Sequence, residues 1–463
     1  MQSNMDETES IAGGSRELLK LAFPLVLSNA FWTLQMTIDR IMLSRQNSDA
    51  VGAAMTAGVL YWVPLALLQQ TAAYATTFVA QYIGAGRKER AGPAVWQAIY
   101  FSFAAGLGFL LLLPLIAPLV AIGGHSPEVQ ELETTFLRCL CFATLPLLLM
   151  ASVNAFFAGR GESWPVLWVY VAGAAITVVL DYVWIYGHWG FAESGIAGAG
   201  RATVCGAWAS ALVGIVLILR NRYCKEFETL AGWRFDRALF LRLMRFGIPS
   251  GLQYCLEALA FTIFLILVGQ LGTTELTATS VAFTINTVVL VPMLGFGQAV
   301  SVLVGQRLGH NQPRLAAKST IIGVAWCLLY TLIGAVVFAF FPGPVLALFE
   351  DHDAERWAAV LPIVPVLLKF VAVYCLFESV SLILSSALRG AGDTRFVSAV
   401  TLLFSWTIMV LPTIISRRSG WGLYSVWIFA TSYIVVLSFV FMWRFRQGKW
   451  KSMRVIESAP AVI

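Results

Sequence analysis

The sequence predicts an all-α polytopic membrane protein, with twelve transmembrane helices arranged in two pseudosymmetric six-helix lobes. The first reason is composition: 59% of its 463 residues are hydrophobic, 12% are charged and the mean hydropathy is +0.77, whereas a soluble domain carries about 25% charged residues. The second is that the hydrophobic runs are long and continuous, which favours helices over a β-barrel of short alternating strands. The third is an internal repeat, which predicts the two lobes.

Twelve hydrophobic stretches are long enough to cross a bilayer, because about 20 helical residues span its hydrocarbon core. The predicted spans lie at residues 18–43, 51–81, 93–122, 134–157, 164–188, 195–219, 239–270, 276–305, 317–342, 360–388, 396–416 and 422–443. The longest polar stretch, 220–242, separates spans six and seven. The predicted domains are an N-lobe (1–220), an inter-lobe linker (221–238), a C-lobe (239–450) and a cytoplasmic tail (451–463).

The two halves repeat at an offset close to 225 residues. Pro24 and Pro249 each lie in the first helix of their half, and Gln81 and Gln306 keep the same spacing two helices later. Six spans are an even number, so both halves enter from the same side of the membrane and form a parallel repeat. A duplicated membrane chain with proline-interrupted helices at corresponding positions is typical of a secondary transporter.

The basic residues predict the orientation. Of the 31 Lys and Arg residues, 23 fall in the termini and in the connections on one side of the membrane, and that side is expected to be cytoplasmic. We therefore predict a multi-pass protein of the plasma membrane (the bacterial inner membrane), with both termini in the cytoplasm. The net charge of +6 reflects this topology, so we expect no nucleic-acid partner.

Neither cysteines nor histidines predict a metal or catalytic site. The seven cysteines show no CxxC spacing, and the four histidines never pair at the spacing of metal ligands. We therefore expect no enzymatic activity and no cofactor other than a coupling ion. The polar, acidic N-terminus lacks the features of a cleavable signal peptide, so the first span is expected to be retained.

Four acidic residues lie well inside the predicted spans: Asp39, Asp181, Glu257 and Glu378. A charged side chain near the bilayer centre costs about 2.5 to 3.5 kcal/mol on an insertion scale, so such residues are usually functional. They can bind a cation, carry a proton or face a positively charged substrate. For any single residue, the alternative is a protonated or hydrogen-bonded carboxyl that holds two helices together.

Hydroxyl groups accompany two of these acids at helical spacing. Tyr374 precedes Glu378 by four residues and Thr177 precedes Asp181 by four, so each pair shares one helix face. Carboxylate and hydroxyl oxygens suit a small hard cation such as sodium, and a proton can compete for the same carboxylates. Back-bonding to the helix or interhelical packing is the alternative for either hydroxyl.

The residues resemble the multidrug and toxic compound extrusion (MATE) family from about 16 to 445. The motifs, in chain order, are LAFPLVLSNAF, VAQYIGAGR, LDYVWIYG, IPSGLQYCLEALAF, VPMLGFGQAVSVLVGQRLG and LSSALRGAGDTRF. The resemblance implies two lobes that form a V-shaped cleft opening alternately to each side. It also implies export of cationic, amphipathic compounds by antiport with sodium or protons. We expect a monomer whose partners are these small molecules and membrane lipids.

The resemblance also implies a coupling site in the C-lobe. Glu257, Tyr374 and Glu378 match the cation site of the NorM-like branch, which makes them the implied sodium ligands. Glu378 replaces the aspartate that is usual there, which lengthens the side chain.

In the N-lobe, Asp39 matches the first-span acid of bacterial members. Asp181 matches the N-lobe acid of the DinF-like branch, in which an asparagine stands at the position of Thr177. Thr203 on span six is a weaker candidate ligand. The sequence thus resembles the NorM-like branch more closely and carries some DinF-like features.

Two other classes of function remain as alternatives. A flippase for a lipid-linked precursor, from the same superfamily, would need several basic residues in its cleft to meet phosphates, and the predicted spans contain almost none. A channel or a non-transporting membrane scaffold would explain the hydropathy but not four buried acids in a duplicated frame.

Overall fold

The structure, a computed structural model, describes residues 14–46, 48–346 and 354–457. The first 13 residues of the predicted N-lobe and the last six of the predicted tail lie outside the described residues. Within the described ranges every regular element is helical, as the sequence predicts.

Twelve helices in the described part of the chain are long and apolar enough to cross a membrane, which confirms the predicted number. In chain order they are α1 (Ser15–Gln46), α2 (Asp49–Gly84), α3 (Lys88–Ala121), α4 (Pro127–Gly159), α5 (Ser163–Tyr186), α6 (Gly195–Ile218), α7 (Arg237–Gly269), α8 (Thr273–Gly309), α9 (Pro313–Phe340), α10 (Val364–Ala391), α11 (Thr394–Arg418) and α12 (Leu423–Gln447). Most extend a few residues beyond the predicted spans, because a helix can continue past the hydrocarbon core.

Prolines account for the main differences from the predicted spans. The tenth span was predicted from residue 360, whereas α10 begins at Val364 after a separate short helix, Ala354–Val360. Proline lacks an N–H group and fits the first turn of a helix, so Pro362 and Pro365 set this start. In α3 the helix tightens to a 3₁₀ turn at Leu113–Leu115, around a proline.

Prolines also interrupt helices at matching positions of the repeat. Pro24 lies inside α1 and Pro249 inside α7, while Pro64 lies inside α2 and Pro292 inside α8. Each removes one backbone hydrogen bond of its helix. The predicted correspondence of proline-broken helices is therefore present in the structure.

The chain folds as two compact units. The N-terminal unit contains Phe23–Cys255, Gly309–Asn311 and the segment from Arg454, and the C-terminal unit contains the residues up to Ala22, Leu256–Leu308 and Gln312–Met453. The unit boundaries fall inside α1 and α7, whereas the predicted lobes divide the chain between α6 and α7. The lobes stay a prediction.

Each unit is organised around one central helix. In the N-terminal unit, α4 packs against α2, α3 and α6, and α5 packs against α6. In the C-terminal unit, α10 packs against α9 and α12. The helices α4 and α10 occupy corresponding places in the two halves, and α10 carries Tyr374 and Glu378.

Candidate functional site

In the C-terminal unit, α10 presents Tyr374 and Glu378 one turn apart on the same face. The Tyr374 hydroxyl donates a hydrogen bond of 2.7 Å to Oε1 of Glu378. Side chains four residues apart on a helix are neighbours, and Val371, Cys375 and Ser379 of the same helix are buried, so the pair is held on a well-packed helix.

Glu257 of α7 and Tyr433 of α12 complete this cluster. The carboxyl group of Glu257 lies close enough to Glu378 to interact with it electrostatically. Both acids also interact electrostatically with the hydroxyl group of Tyr433. The second oxygen of Glu378, Oε2, is buried and receives no hydrogen bond. Two neighbouring carboxylates, one with a free buried oxygen, form a site that favours a cation or a proton.

Sequence reasoning missed Asn286 and Tyr433. Asn286 on α8 is 3% exposed, and its Oδ1 accepts a hydrogen bond of 2.9 Å from the thiol of Cys375. The Asn286 side chain also interacts with the hydroxyl of Tyr374, so it belongs to the cluster. An amide inside an apolar helix needs partners as an acid does, so a survey of amides within the spans would have found Asn286. No sequence signal distinguishes Tyr433 from the many other aromatic residues of the spans.

In the N-terminal unit, the structure brings Asp39 of α1 together with Asp181 of α5. The two carboxyl groups interact electrostatically, and Arg40 is a further charged neighbour of Asp39. Asp181 is completely buried. Both of its carboxylate oxygens and Oδ1 of Asp39 lie buried without a hydrogen-bond donor. Two adjacent carboxylates of this kind resist simultaneous ionisation, so a shared proton or cation would satisfy them.

The two predicted hydroxyl ligands of this unit donate to their own helices. The Thr177 hydroxyl donates to the carbonyl of Gly173, and the Thr203 hydroxyl donates to the carbonyl of Ala199, each at 3.0 Å. Their lone pairs still allow both hydroxyls to accept a hydrogen bond or to bind a cation. Roles for Thr177 and Thr203 stay predictions.

Helices α5 and α6 approach each other very closely beside Asp181. A Cβ atom at Gly206 would lie 1.8 Å from the Thr177 hydroxyl, and one at Gly173 would lie 1.9 Å from the Ser210 hydroxyl. The Ser210 hydroxyl crosses the interface to donate to the carbonyl of Val169 at 3.0 Å. Small residues permit this contact between membrane helices, and it fixes the helix that carries Asp181.

The donor set of the C-terminal cluster suits a hard cation better than a transition metal. In the described part of the chain, no three His, Cys, Asp or Glu residues group closely enough to hold a metal ion. Glu257, Glu378, Tyr374 and Asn286 offer carboxylate, phenol and amide oxygens. Such oxygens are ligands of hard cations.

The chain is similar to a known family over both halves. A model of the MatE family matches residues 24–183 and 249–415, so the two matches begin at Pro24 and Pro249 and reproduce the repeat. "Probable multidrug resistance protein NorM" of Xanthomonas campestris is 26% identical over 452 residues, which cover 96% of each chain. "Multidrug resistance protein PmpM" of Pseudomonas aeruginosa is 27% identical, with 85% of this chain and 82% of that protein covered.

Solved structures share the fold. One described as the outward-facing conformation of a multidrug resistance MATE family transporter superposes with a TM-score of 0.86 at 21% identity and covers 94% of this chain and 96% of that one. A crystal structure of MATE in the bent conformation gives a TM-score of 0.85 at 21% identity and covers 95% of this chain and 97% of that one. The fold of twelve membrane helices is therefore that of known transporters.

Proposed function

The chain belongs to the MatE family, and we propose that it is a secondary active multidrug efflux transporter. It exports cationic amphipathic compounds by antiport with sodium or protons through alternating access. The names of the NorM and PmpM relatives support export of several drugs. The observation that carries the proposal is that Oε2 of Glu378 is buried, receives no hydrogen bond and interacts electrostatically with the carboxylate of Glu257. Two such carboxylates are stable in this place only with a proton or a cation bound between them.

The C-terminal cluster is the coupling site in this proposal. Tyr374 holds Oε1 of Glu378, which leaves Oε2 for the ion. Glu257, Tyr374 and Glu378 are the sodium or proton ligands, and Asn286 adds an amide oxygen. One sodium ion or one proton offsets part of the repulsion between the two carboxylates, so its release makes the cluster attractive to the next cation.

The N-terminal acids act as a second switch. Asp39 is partly exposed while Asp181 is buried, so Asp39 is the group that a proton or cationic substrate reaches first. A proton shared between the two carboxyls would be displaced when a cation arrives. Thr177 and Thr203 are further candidate ligands for the proton or cation in this unit.

We propose that the N-lobe (1–220) and the C-lobe (239–450), joined by the linker 221–238, are the bodies that alternate access. The protein functions as a monomer in the bacterial inner membrane, with its N-terminus and its tail (451–463) in the cytoplasm and lipids around its spans. The excess of basic residues on one side supports this orientation.

Reconstitution into liposomes tests the function. Purified protein is placed in vesicles containing a fluorescent cationic dye, and a sodium gradient or a proton gradient is imposed separately. Gradient-driven dye movement that is lost in Glu257→Gln and Glu378→Gln, and kept in the control Glu275→Gln at the start of α8, supports the proposal. Absence of movement under both gradients in the wild type contradicts it.

A further inference from the structure

Two clusters of charged residues lie at the helix ends on the side from which both halves enter the membrane. The first, which we call the α1–α8 pair, joins the start of α1 to the end of α8 within the C-terminal unit. One guanidinium nitrogen of Arg307 donates to both carboxylate oxygens of Glu17 at 2.7 Å. The Arg307 side chain is 15% exposed, so this pair is partly shielded from water.

The second cluster, the α2–α7 cluster, joins the end of α2 to the start of α7 within the N-terminal unit. Oε2 of Glu457, a tail residue, accepts hydrogen bonds from the Tyr82 hydroxyl, at 2.8 Å, and from Arg242. The other oxygen, Oε1, pairs with Arg87, and Arg90 lies 3.6 Å away. One carboxylate from the tail thus links the two helices.

The repeat relates these two clusters residue by residue. At the offset of 225 that relates Pro24 to Pro249, Glu17 corresponds to Arg242 and Tyr82 corresponds to Arg307. In the α1–α8 pair, the two equivalent positions hold an acid and a base, which bind directly. In the α2–α7 cluster they hold a base and a neutral phenol, so the acid is missing. Glu457 supplies it.

The tail is held in place by further contacts. The amide of Val455 donates to Oε1 of Gln81 at 2.8 Å, and Val455 is 1% exposed. Partial burial opposes ionisation of Glu457, but its own backbone amide, the Tyr82 hydroxyl and the Arg87 guanidinium outweigh it, so the pKa of the carboxyl lies below its ordinary value. Glu457 is therefore a carboxylate at neutral pH.

Two glycines allow close approaches between helices, one at the end of α8 beside the α2–α7 cluster and one in the interior of α7. A Cβ atom at Gly309, the last residue of α8, would lie 2.3 Å from the carbonyl oxygen of Gln81. One at Gly251 of α7 would lie 2.2 Å from the carbonyl oxygen of Leu67 in α2. These contacts join helices of the predicted N-lobe to helices of the predicted C-lobe, as both charged clusters do.

We infer that Glu457 is a positioning residue of the transport cycle: it completes, from the tail, the second of two repeat-related latches, meaning charged clusters that each hold a helix of one predicted lobe to a helix of the other on the entry side. The inference rests on the proposed function, since alternating access requires this side to open to substrate. Both latches then break together, because each joins α1 or α7 to the other predicted lobe. Because Glu457 lies in the tail, the α2–α7 latch can be broken by a substitution outside the membrane helices.

Hydrogen–deuterium exchange of the full-length protein, followed by mass spectrometry, tests the inference without a substrate. In Glu457→Gln, we expect amide exchange to rise several-fold at the start of α7 and the end of α2. It should rise also at residues 15–22 and 303–309, which belong to the α1–α8 pair in the other unit. A tail with only a local structural role would show faster exchange in 449–457 alone.

Matched variants sharpen this test. Glu226→Gln removes an exposed ion pair with Lys88 on the same side and should leave both latches as in the wild type. The double variant Tyr82→Glu with Glu457→Gln restores an acid opposite Arg242 and should return exchange at α1 and α8 to the wild-type rate. If the Tyr82 substitution prevents folding, Glu17→Gln serves instead, because it should open the α2–α7 cluster in turn.

Two outcomes overturn the inference. One is an unchanged exchange rate at residues 15–22 and 303–309 in Glu457→Gln. The other is an unchanged rate at α2 and α7 in Glu17→Gln. Either result leaves the efflux proposal standing, because that proposal is judged by dye movement in liposomes. Failure of dye transport in the wild type, with coupled opening of the two latches, would instead contradict the efflux proposal alone.

Discussion

Neutralising Glu378 should remove most of the affinity of the C-terminal cluster for sodium. Glu378→Gln keeps the oxygen that accepts the Tyr374 hydrogen bond, and it replaces Oε2, which receives no hydrogen bond, by the NH2 group of an uncharged amide. A sodium ion and the negative charge of Glu378, taken as about 5 Å apart at an effective dielectric constant near 20, attract each other by about 3 kcal/mol. A bound sodium ion loses that attraction in the variant, so its dissociation constant should rise about a hundredfold.

Sodium-dependent stability measures this loss directly. At a sodium concentration about one hundred times the wild-type dissociation constant, binding adds about 2.7 kcal/mol to the free energy of unfolding, and the variant should retain about 0.4 kcal/mol. The assay follows unfolding in detergent while sodium replaces choline at constant ionic strength. Glu275→Gln, in the same unit, is the matched control. Equal sodium stabilisation of Glu378→Gln and the wild type would refute the reasoning.

Three further predictions concern the N-terminal unit, the orientation and the tail. Asp39→Asn and Asp181→Asn should each shift the pH dependence of export, Asp39→Asn more severely; unchanged pH and sodium profiles in both would make these acids structural. Cys224 should react with a membrane-impermeant thiol reagent only from the cytoplasmic face, and labelling of intact cells from outside would reverse the predicted orientation. The pKa of Glu457 is lowered from 4.5, so its contribution to stability should be present above that pH and disappear as the pH falls below it. The measurement is the protection of the tail amides against hydrogen exchange, which should be lost in acid. A tail that is equally protected in acid would contradict this.

Much of the fold follows from the sequence because lipid imposes one simple rule, that every backbone group must bond within its own helix. The number of spans and the repeat were therefore predictable. The start of α10 was not, because hydropathy does not register that Pro362 and Pro365 end one helix and begin another. The π-helical segment Ser405–Val410 of α11 was equally invisible, since hydropathy does not distinguish a π-helix from an α-helix.

The candidate site was predictable where charge made it conspicuous. Glu378 and Tyr374 were predicted to share a face by helical spacing, and the structure places them in contact. The neighbourhood of Asp39 and Asp181 depends on how α1 and α5 pack, and their residues alone do not fix that. Asn286 was missed because a neutral amide within a span is less conspicuous than an acid. The role of Glu457 depends on a tail contact that no periodicity reports.

The close approach of α5 and α6 has a mechanical consequence. There is no room for a methyl group at Gly173 or Gly206, so α5 and α6 are in direct contact over this stretch. A displacement of α5 that starts when Asp181 gains or loses a charge would therefore press directly on α6. Gly206→Ala would place its methyl group 1.8 Å from the Thr177 hydroxyl and should force the two helices apart.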